Sequence, residues 1–102
     1  MTPRKIISVI EMYEKRLRDE GIPKIRMDPK RSFAELSRDE ILAHAHFICA
    51  GCKEYARDPQ KQRKTGSHLT VVQMCLSFAN WYTLEDLMNH NRPKAAKITA
   101  RK

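Results

Sequence analysis

The segment LTVVQMCLSFANWY, residues 69–82, most constrains the fold, because apolar side chains cover nearly the whole circumference of a helix drawn through it. One narrow polar sector remains, and it contains Gly66, Thr70, Gln73, Ser77 and Asn80. A helix that is apolar almost all round is typical of the centre of a small protein, and polar groups on a buried helix need hydrogen-bond partners. We therefore expect this helix at the centre of the fold, with its polar sector facing either solvent or a second chain.

The length and composition predict one globular domain. A chain of 102 residues can bury a single modest core, and 41% hydrophobic with 31% charged residues is a globular balance. No apolar run approaches the roughly 20 residues that span a bilayer, so we expect no membrane association. Three cysteines, without a secretory pattern at the N-terminus, indicate reduced thiols and a cytoplasmic protein.

The first helix should begin at Thr2 or Pro3 and end at Asp19, since Thr2 can cap it and Gly21 can terminate it. Helical periodicity then disappears over residues 20–37, which predicts a long connector with at most one short turn. Such a connector either moves or is pinned over the core by its apolar side chains, and we favour pinning. The side chains concerned are Ile22, Ile25, Met27, Phe33 and Leu36.

Ser37 and Glu40 form a capping box that starts the second helix. Asp58 and Pro59 end that helix and start a third one, so the two helices form a hairpin. The third helix should continue through the apolar segment to residue 82, unless Gly66 breaks it.

A short final helix should begin at the Thr83 cap and end near His90 or Asn91. Its apolar face comprises Leu84, Leu87 and Met88. The predicted fold is therefore an all-α compact bundle of three main helices and a short C-terminal helix, with one domain over residues 1–93 and a basic flexible tail over residues 94–102. The predicted core contains Ile10, Tyr13, Leu17, Ile41, Ala45, Ile48, Cys52, Leu69, Val72, Leu76, Ala79 and Leu87.

Four potential metal ligands lie close together on the second helix, namely His44, His46, Cys49 and Cys52. On a continuous helix their side chains point in different directions, so no more than two can share one ion. The pattern favours two core thiols with two flanking imidazoles. Cys49 and Cys52 also form a C-x-x-C, but their position within the helix does not favour redox chemistry.

No catalytic triad, cofactor motif or phosphate-binding loop is recognisable. We therefore expect no enzyme, no cofactor, no metal and no small-molecule substrate. Phe47, Phe78 and Trp81 are candidates for a contact between subunits, because the third helix offers more apolar surface than so short a chain can cover. Self-association is accordingly expected.

Twenty Lys and Arg against twelve Asp and Glu give a net charge of +8, which favours anionic partners. One helical corner gathers cations that could pair with phosphates or with an acidic protein. It comprises Arg57, Lys61, Arg63, Lys64 and His68. The alternative is a solvated charged face without a partner.

The chain also carries the stretches HAHFICAGCKEYARDP and KTGSHLTVVQMCLSFANWYTLEDLMNHNRP, the second of which fits the ending W-x-T-x-x-[DE]-L-x-x-[HD]-N-R. In these features residues 40–93 resemble small helical proteins encoded by tailed bacteriophages and prophages. The resemblance implies a phage-type origin, a helical fold, a location in the host cytoplasm and a non-enzymatic accessory function. It supplies no catalytic residue.

Two classes of function therefore remain. The preferred one is an interaction or regulatory module that binds a macromolecular partner, most simply a protein. The alternative is a basic nucleic-acid-binding accessory protein. A nucleic-acid binder should need the cationic corner and the tail, whereas a protein-binding module should depend on exposed aromatic side chains.

Overall fold

A computed structural model describes residues 1–93, and the predicted basic tail, residues 94–102, lies outside them. The described part contains four α-helices and two short 3₁₀ turns, with no strand. The helices are α1 (Pro3–Asp19), α2 (Arg38–Ala56), α3 (Gln62–Phe78) and α4 (Leu84–Asn91), and the turns are Phe33–Glu35 and Pro59–Lys61. The predicted small all-α bundle is confirmed. None of these helices is long and apolar enough to cross a membrane.

The helix starts follow the capping residues in the sequence. The Thr2 hydroxyl accepts from the amide of Lys5 at 3.1 Å, and capping boxes begin α2 at Ser37 and α4 at Thr83. Gly21 takes a positive φ of 72° directly after α1, a conformation that other residues adopt with strain. These local signals therefore set the two ends of α1 and the starts of α2 and α4 as predicted.

The third helix is shorter than predicted. Its first residues form the 3₁₀ turn Pro59–Lys61, whereas Gly66 lies inside α3 and does not break it. At the other end Asn80 takes a φ of 64°, and the amide of Trp81 donates to the carbonyl of Leu76 at 2.9 Å. This left-handed closure ends the helix before Trp81, although the sequence there is still apolar.

The centre of the bundle is α2, which differs from the expected position of residues 69–82. α2 packs against both α1 and α3, while α1 and α3 meet each other much less. The connector crosses the remaining side of α2, so residues 41–46 are buried without interruption. The outer side of α3 stays open, with Met74 44% and Phe78 61% exposed. The helical wheel of α3 shows only which of its residues are apolar. It could not show that the connector would cover α2 and leave one side of α3 exposed.

The core otherwise agrees with the prediction, since every expected core residue is buried except Ile48, which is half-buried. The apolar face predicted for α4 was wrong in part. Leu87 is buried, but Leu84 is 70% and Met88 51% exposed. A single buried apolar side chain gives α4 only a small packing contact with the bundle. Polar contacts must therefore also hold α4 in place.

A buried polar network supplies those contacts. Gln73 of α3 donates to the Tyr13 hydroxyl at 3.1 Å and exchanges hydrogen bonds with the Asn91 amide at 2.8 and 3.3 Å. The Tyr13 hydroxyl in turn lies 2.8 Å from Nδ1 of His90. The expectation that the polar sector of α3 faces solvent or a second chain was therefore wrong for Gln73, whose partners belong to α1 and α4 of the same chain.

Candidate functional site

The two histidines of the predicted His/Cys cluster hold the connector on α2. The amide of Met27 donates to Nδ1 of His44 at 3.1 Å, and Nδ1 of His46 donates to the carbonyl of Ile22 at 2.8 Å. Both imidazoles are buried rather than flanking. Burial, together with the charge of Arg26, lowers the pKa of His44, and this favours the neutral ring, whose Nδ1 can accept a hydrogen bond.

The cysteines of the cluster are buried in the core, as predicted. Burial, with a smaller contribution from the Glu14 carboxylate, raises the pKa of Cys49 strongly and that of Cys52 to about 11. Thiols in this state are poor nucleophiles and poor metal ligands. Within residues 1–93, no group of three His, Cys, Asp or Glu side chains is placed to hold a metal ion.

The predicted cationic corner lies at one end of the bundle, which we call the basic end. There α1 begins, α2 ends and α3 begins, since Pro3, Ala56 and Gln62 line one groove. Its exposed or partly exposed cations are Arg4, Lys5, Arg57, Lys61, Arg63 and Lys64. The N-terminal turn of α1 thus joins the corner that the sequence placed on the α2–α3 hairpin alone.

Two of the corner's side chains meet around one ring. Nζ of Lys64 lies 5.5 Å from the centroid of the Tyr55 ring, and the His68 ring packs edge-on against the same ring at 4.9 Å. Nδ1 of His68 donates to the carbonyl of Lys64 at 2.9 Å. Tyr55 is not among the residues predicted for the corner, yet its ring contacts two members of it.

The Lys and Arg side chains of the corner have no acidic partner among residues 1–93. No carboxylate of the described residues lies within 4.0 Å of Arg57, Lys61, Arg63 or Lys64. The guanidinium of Arg57 reaches only the carbonyl of Lys53 at 3.3 Å. These charges are therefore available to an anionic partner.

The backbone adds to the positive potential of the basic end. A helix start carries a partial positive charge, and acidic residues in the first turn normally offset it. Neither α1 nor α3 has an acidic residue in its first turn. Arg4 and Lys5 occupy this turn in α1, and Arg63 and Lys64 occupy it in α3. Side chains and helix dipoles thus attract anions together, at some cost in helix stability.

A groove of about 840 Å³ opens between the start of α1 and the α2–α3 junction. Aliphatic side chains contribute most of its wall, namely Pro3, Ile7, Ala56 and Pro59. Arg4 and Arg57 also line it, together with the single carboxylate of Glu11. The basic end therefore combines an apolar recess with cations that have no carboxylate partner within residues 1–93. Arg4 was not predicted as part of this site, because only the packing of α1 against α2 places it in the same groove as Arg57.

The three aromatic residues predicted for a subunit contact occupy different surroundings. Phe78 is 61% and Phe47 42% exposed. Trp81 is half-buried against the core, and the guanidinium of Arg16 covers its ring at 4.2 Å. Phe47 stacks on the ring of His44 at 6.5 Å. Phe47 and Phe78 are available for contacts, whereas Trp81 is largely occupied by its own chain.

No family model, curated protein or solved structure matches this chain. The resemblance to phage-encoded helical proteins therefore stays a prediction.

Proposed function

We propose that this chain is a small non-enzymatic interaction module that binds an anionic macromolecular partner, in the first instance an acidic protein, through its basic end. The observation that supports this proposal is the set of cations at the starts of α1 and α3 for which the described part of the chain supplies no carboxylate partner. A phage or prophage accessory role in the host cytoplasm is compatible with such a module.

The cations at the helix starts of the basic end lower helix stability, but they are well placed to bind anions. Each cation in the first turn of a helix opposes the dipole by about 0.3–1 kcal/mol. Arg63 and Lys64 both occupy such positions. A cluster of this kind raises the rate of encounter with acidic surfaces and selects against basic ones. The nearby apolar groove adds an apolar contact surface for a protein partner to the electrostatic attraction.

A second candidate function is nucleic-acid binding, which the arrangement around Tyr55 favours. Lys64 and His68 are ordered on that ring beside unpaired Arg57 and Lys61. Such cations would contact phosphates, so binding should weaken steeply with salt and show little sequence preference.

Affinity capture with this chain as bait tests the proposal. We expect the parent to retain acidic proteins from the native host and the Lys61→Glu/Lys64→Glu variant to lose them. Lys24→Glu/Lys30→Glu is the matched control, because it removes the same charge from the exposed connector. Equal retention by all three proteins would contradict a role for the basic end.

A mobility-shift titration with duplex and single-stranded oligonucleotides, at low and physiological salt, separates the two candidates. Binding that Lys61→Glu/Lys64→Glu reduces, with a salt slope lower by about one unit per lost cation, would support the nucleic-acid function. Absence of any shift at low salt would exclude it and leave the protein partner.

Self-association is a further proposal, which rests on the open outer side of α3. Met74 and Phe78 lie one helical turn apart there and are both exposed. We expect light scattering at micromolar concentration to give a mass above 11.9 kDa, and Phe78→Ser to reduce it. A strict monomer at all concentrations would contradict this proposal.

A further inference from the structure

The residues that line the groove at the basic end limit the kinds of ligand that it can bind. Its apolar wall comes from α1 and from the α2–α3 junction, so it lies where three elements meet. Its volume of about 840 Å³ can accept a few side chains. No aromatic side chain lines it, so it offers no ring on which a nucleobase could stack.

We infer that this groove binds a short acidic segment of a protein partner. Aliphatic side chains of the segment enter the recess between Ile7 and Ala56, and neighbouring Asp or Glu carboxylates pair with Arg4 and Arg57. The inference rests on the proposed function, since it names the kind of partner that the basic end receives.

Charge complementarity determines this choice of occupant. Arg4 and Arg57 are exposed, and no carboxylate of residues 1–93 lies within 4.0 Å of either. Their planar guanidinium groups can each hold a carboxylate through two parallel hydrogen bonds. Aliphatic recesses bordered by such donors suit a peptide in which acidic and apolar side chains are neighbours.

Glu11 further favours a peptide over a nucleic acid. Its carboxylate lines the groove, and its contact with Lys53 is long, at 3.9 Å, because Lys53 pairs more closely with Glu14 at 2.7 Å. A phosphate backbone carries charge at every nucleotide and would meet this carboxylate along the groove. A peptide can place an uncharged residue there.

Fluorescence anisotropy with a labelled synthetic peptide tests the inference. The probe is a short peptide in which Leu alternates with Asp. Two comparison probes have the same charge, namely the peptide with Ser in place of Leu and a single-stranded oligonucleotide. We expect the parent to bind the Leu-containing peptide about tenfold more tightly than either comparison probe, which corresponds to about 1.4 kcal/mol.

Two variants locate the binding. Ser8 is exposed and lines the groove, so Ser8→Trp should fill the recess and weaken the Leu-containing peptide about tenfold. Ser67→Trp, on the exposed surface of α3 and outside the groove lining, is the control and should bind as the parent does. Arg4→Glu/Arg57→Glu should abolish peptide binding, whereas Lys24→Glu/Lys30→Glu should retain most of it. Circular dichroism establishes that each variant is folded.

The possible failures are distinguishable. If the Ser-containing peptide binds as well as the Leu-containing one and Ser8→Trp has no effect, the groove is not used, although the basic end still binds anions. If only the oligonucleotide binds, the peptide inference is overturned and the nucleic-acid candidate is supported. If no probe binds the parent at low salt, both the inference and the proposed function fail.

Discussion

The two ends of the bundle use their arginines in opposite ways. At the far end, where α1 and α3 finish and α2 begins, three arginines have a partner, whereas the exposed Arg18 has no carboxylate of the described residues within 4.0 Å. Arg16 pairs with Glu20 at 3.1 Å and covers Trp81, and Arg31 pairs with Glu40 at 2.8 Å. Arg38 donates to the carbonyl of Ala79 at 2.7 Å and so ties α2 to the end of α3. At the basic end, no carboxylate of the described chain pairs with Arg57 or Arg63.

The helix termini show the same contrast. α2 begins with Asp39 and Glu40 and α4 begins with Glu85 and Asp86, all placed favourably for the helix dipole. α1 and α3 begin with cations instead. The difference indicates that the charges of the far end stabilise the fold, while those of the basic end do not. This is why we propose the basic end as the binding surface.

The largest expected effect tests whether both ends belong to one cooperative unit. Leu76 is fully buried in α3, so Leu76→Ala should lower the free energy of unfolding by about 2–5 kcal/mol. Urea unfolding, followed by circular dichroism and by the fluorescence of Trp81, should show one shifted transition by both probes. Leu84→Ala is the control, since Leu84 is exposed, and should change stability by about 0.5 kcal/mol at most. Separate transitions would show that the ends unfold independently.

The contrast between the arginines gives the second prediction. Arg38→Ala removes the donor to the carbonyl of Ala79, a residue that is fully buried, and should cost about 1–2 kcal/mol. Arg57→Ala, at the basic end, loses only a local bond to the carbonyl of Lys53 and should cost about 0.5 kcal/mol or less. Chemical denaturation of the two variants measures the difference. Equal losses would remove the distinction between structural and available arginines.

Acid should destabilise the contacts made by His44 and His90. Burial lowers the pKa of His44, and Arg26 adds to the effect. Burial also lowers the pKa of His90, helped by Lys5 and opposed by Asp86. The unfolded chain then takes up protons more readily, so stability is complete above the unfolded pKa of 6.5 and falls as the pH drops through and below it.

The measurement is the melting temperature at about pH 7.5 and about pH 5.5, which lie on either side of the unfolded histidine pKa. His44→Asn is the informative variant, because its side-chain oxygen can accept from Met27 without titrating in this range. It should lose less stability on acidification than the parent. If a variant that also carries His90→Asn kept the full pH dependence, the assignment to these two imidazoles would be wrong.

Local signals made the helix boundaries predictable. Thr2, Ser37 and Thr83 each bond to backbone amides within their own first turn, so the sequence nearby contains all that is needed. The end of α3 was missed because the left-handed conformation of Asn80, not a change in hydrophobicity, terminates the helix.

Contacts between distant parts of the chain were not predictable in the same way. The central position of α2 depends on the path of the connector, and the partners of Gln73 lie on α1 and α4. The cationic corner was visible because Arg57, Lys61 and Lys64 are close in sequence. The groove and the contribution of Arg4 were not visible in the sequence, since both depend on the tertiary packing of α1 against the α2–α3 junction.

The smallest expected effect bears most directly on why the two ends differ. Arg63 in α3 and Asp39 in α2 occupy the same second position of their helices, one at each end of the bundle. Arg63→Glu should therefore raise the free energy of unfolding by about 0.3–1 kcal/mol, and Asp39→Arg should lower it by a similar amount. Both effects should shrink in high salt.

If Arg63→Glu stabilises the protein and also weakens binding of the acidic partner, the loss of binding cannot come from unfolding. A destabilised Arg63→Glu would mean that this cation has a structural partner, and the contrast between the two ends would fail at that residue.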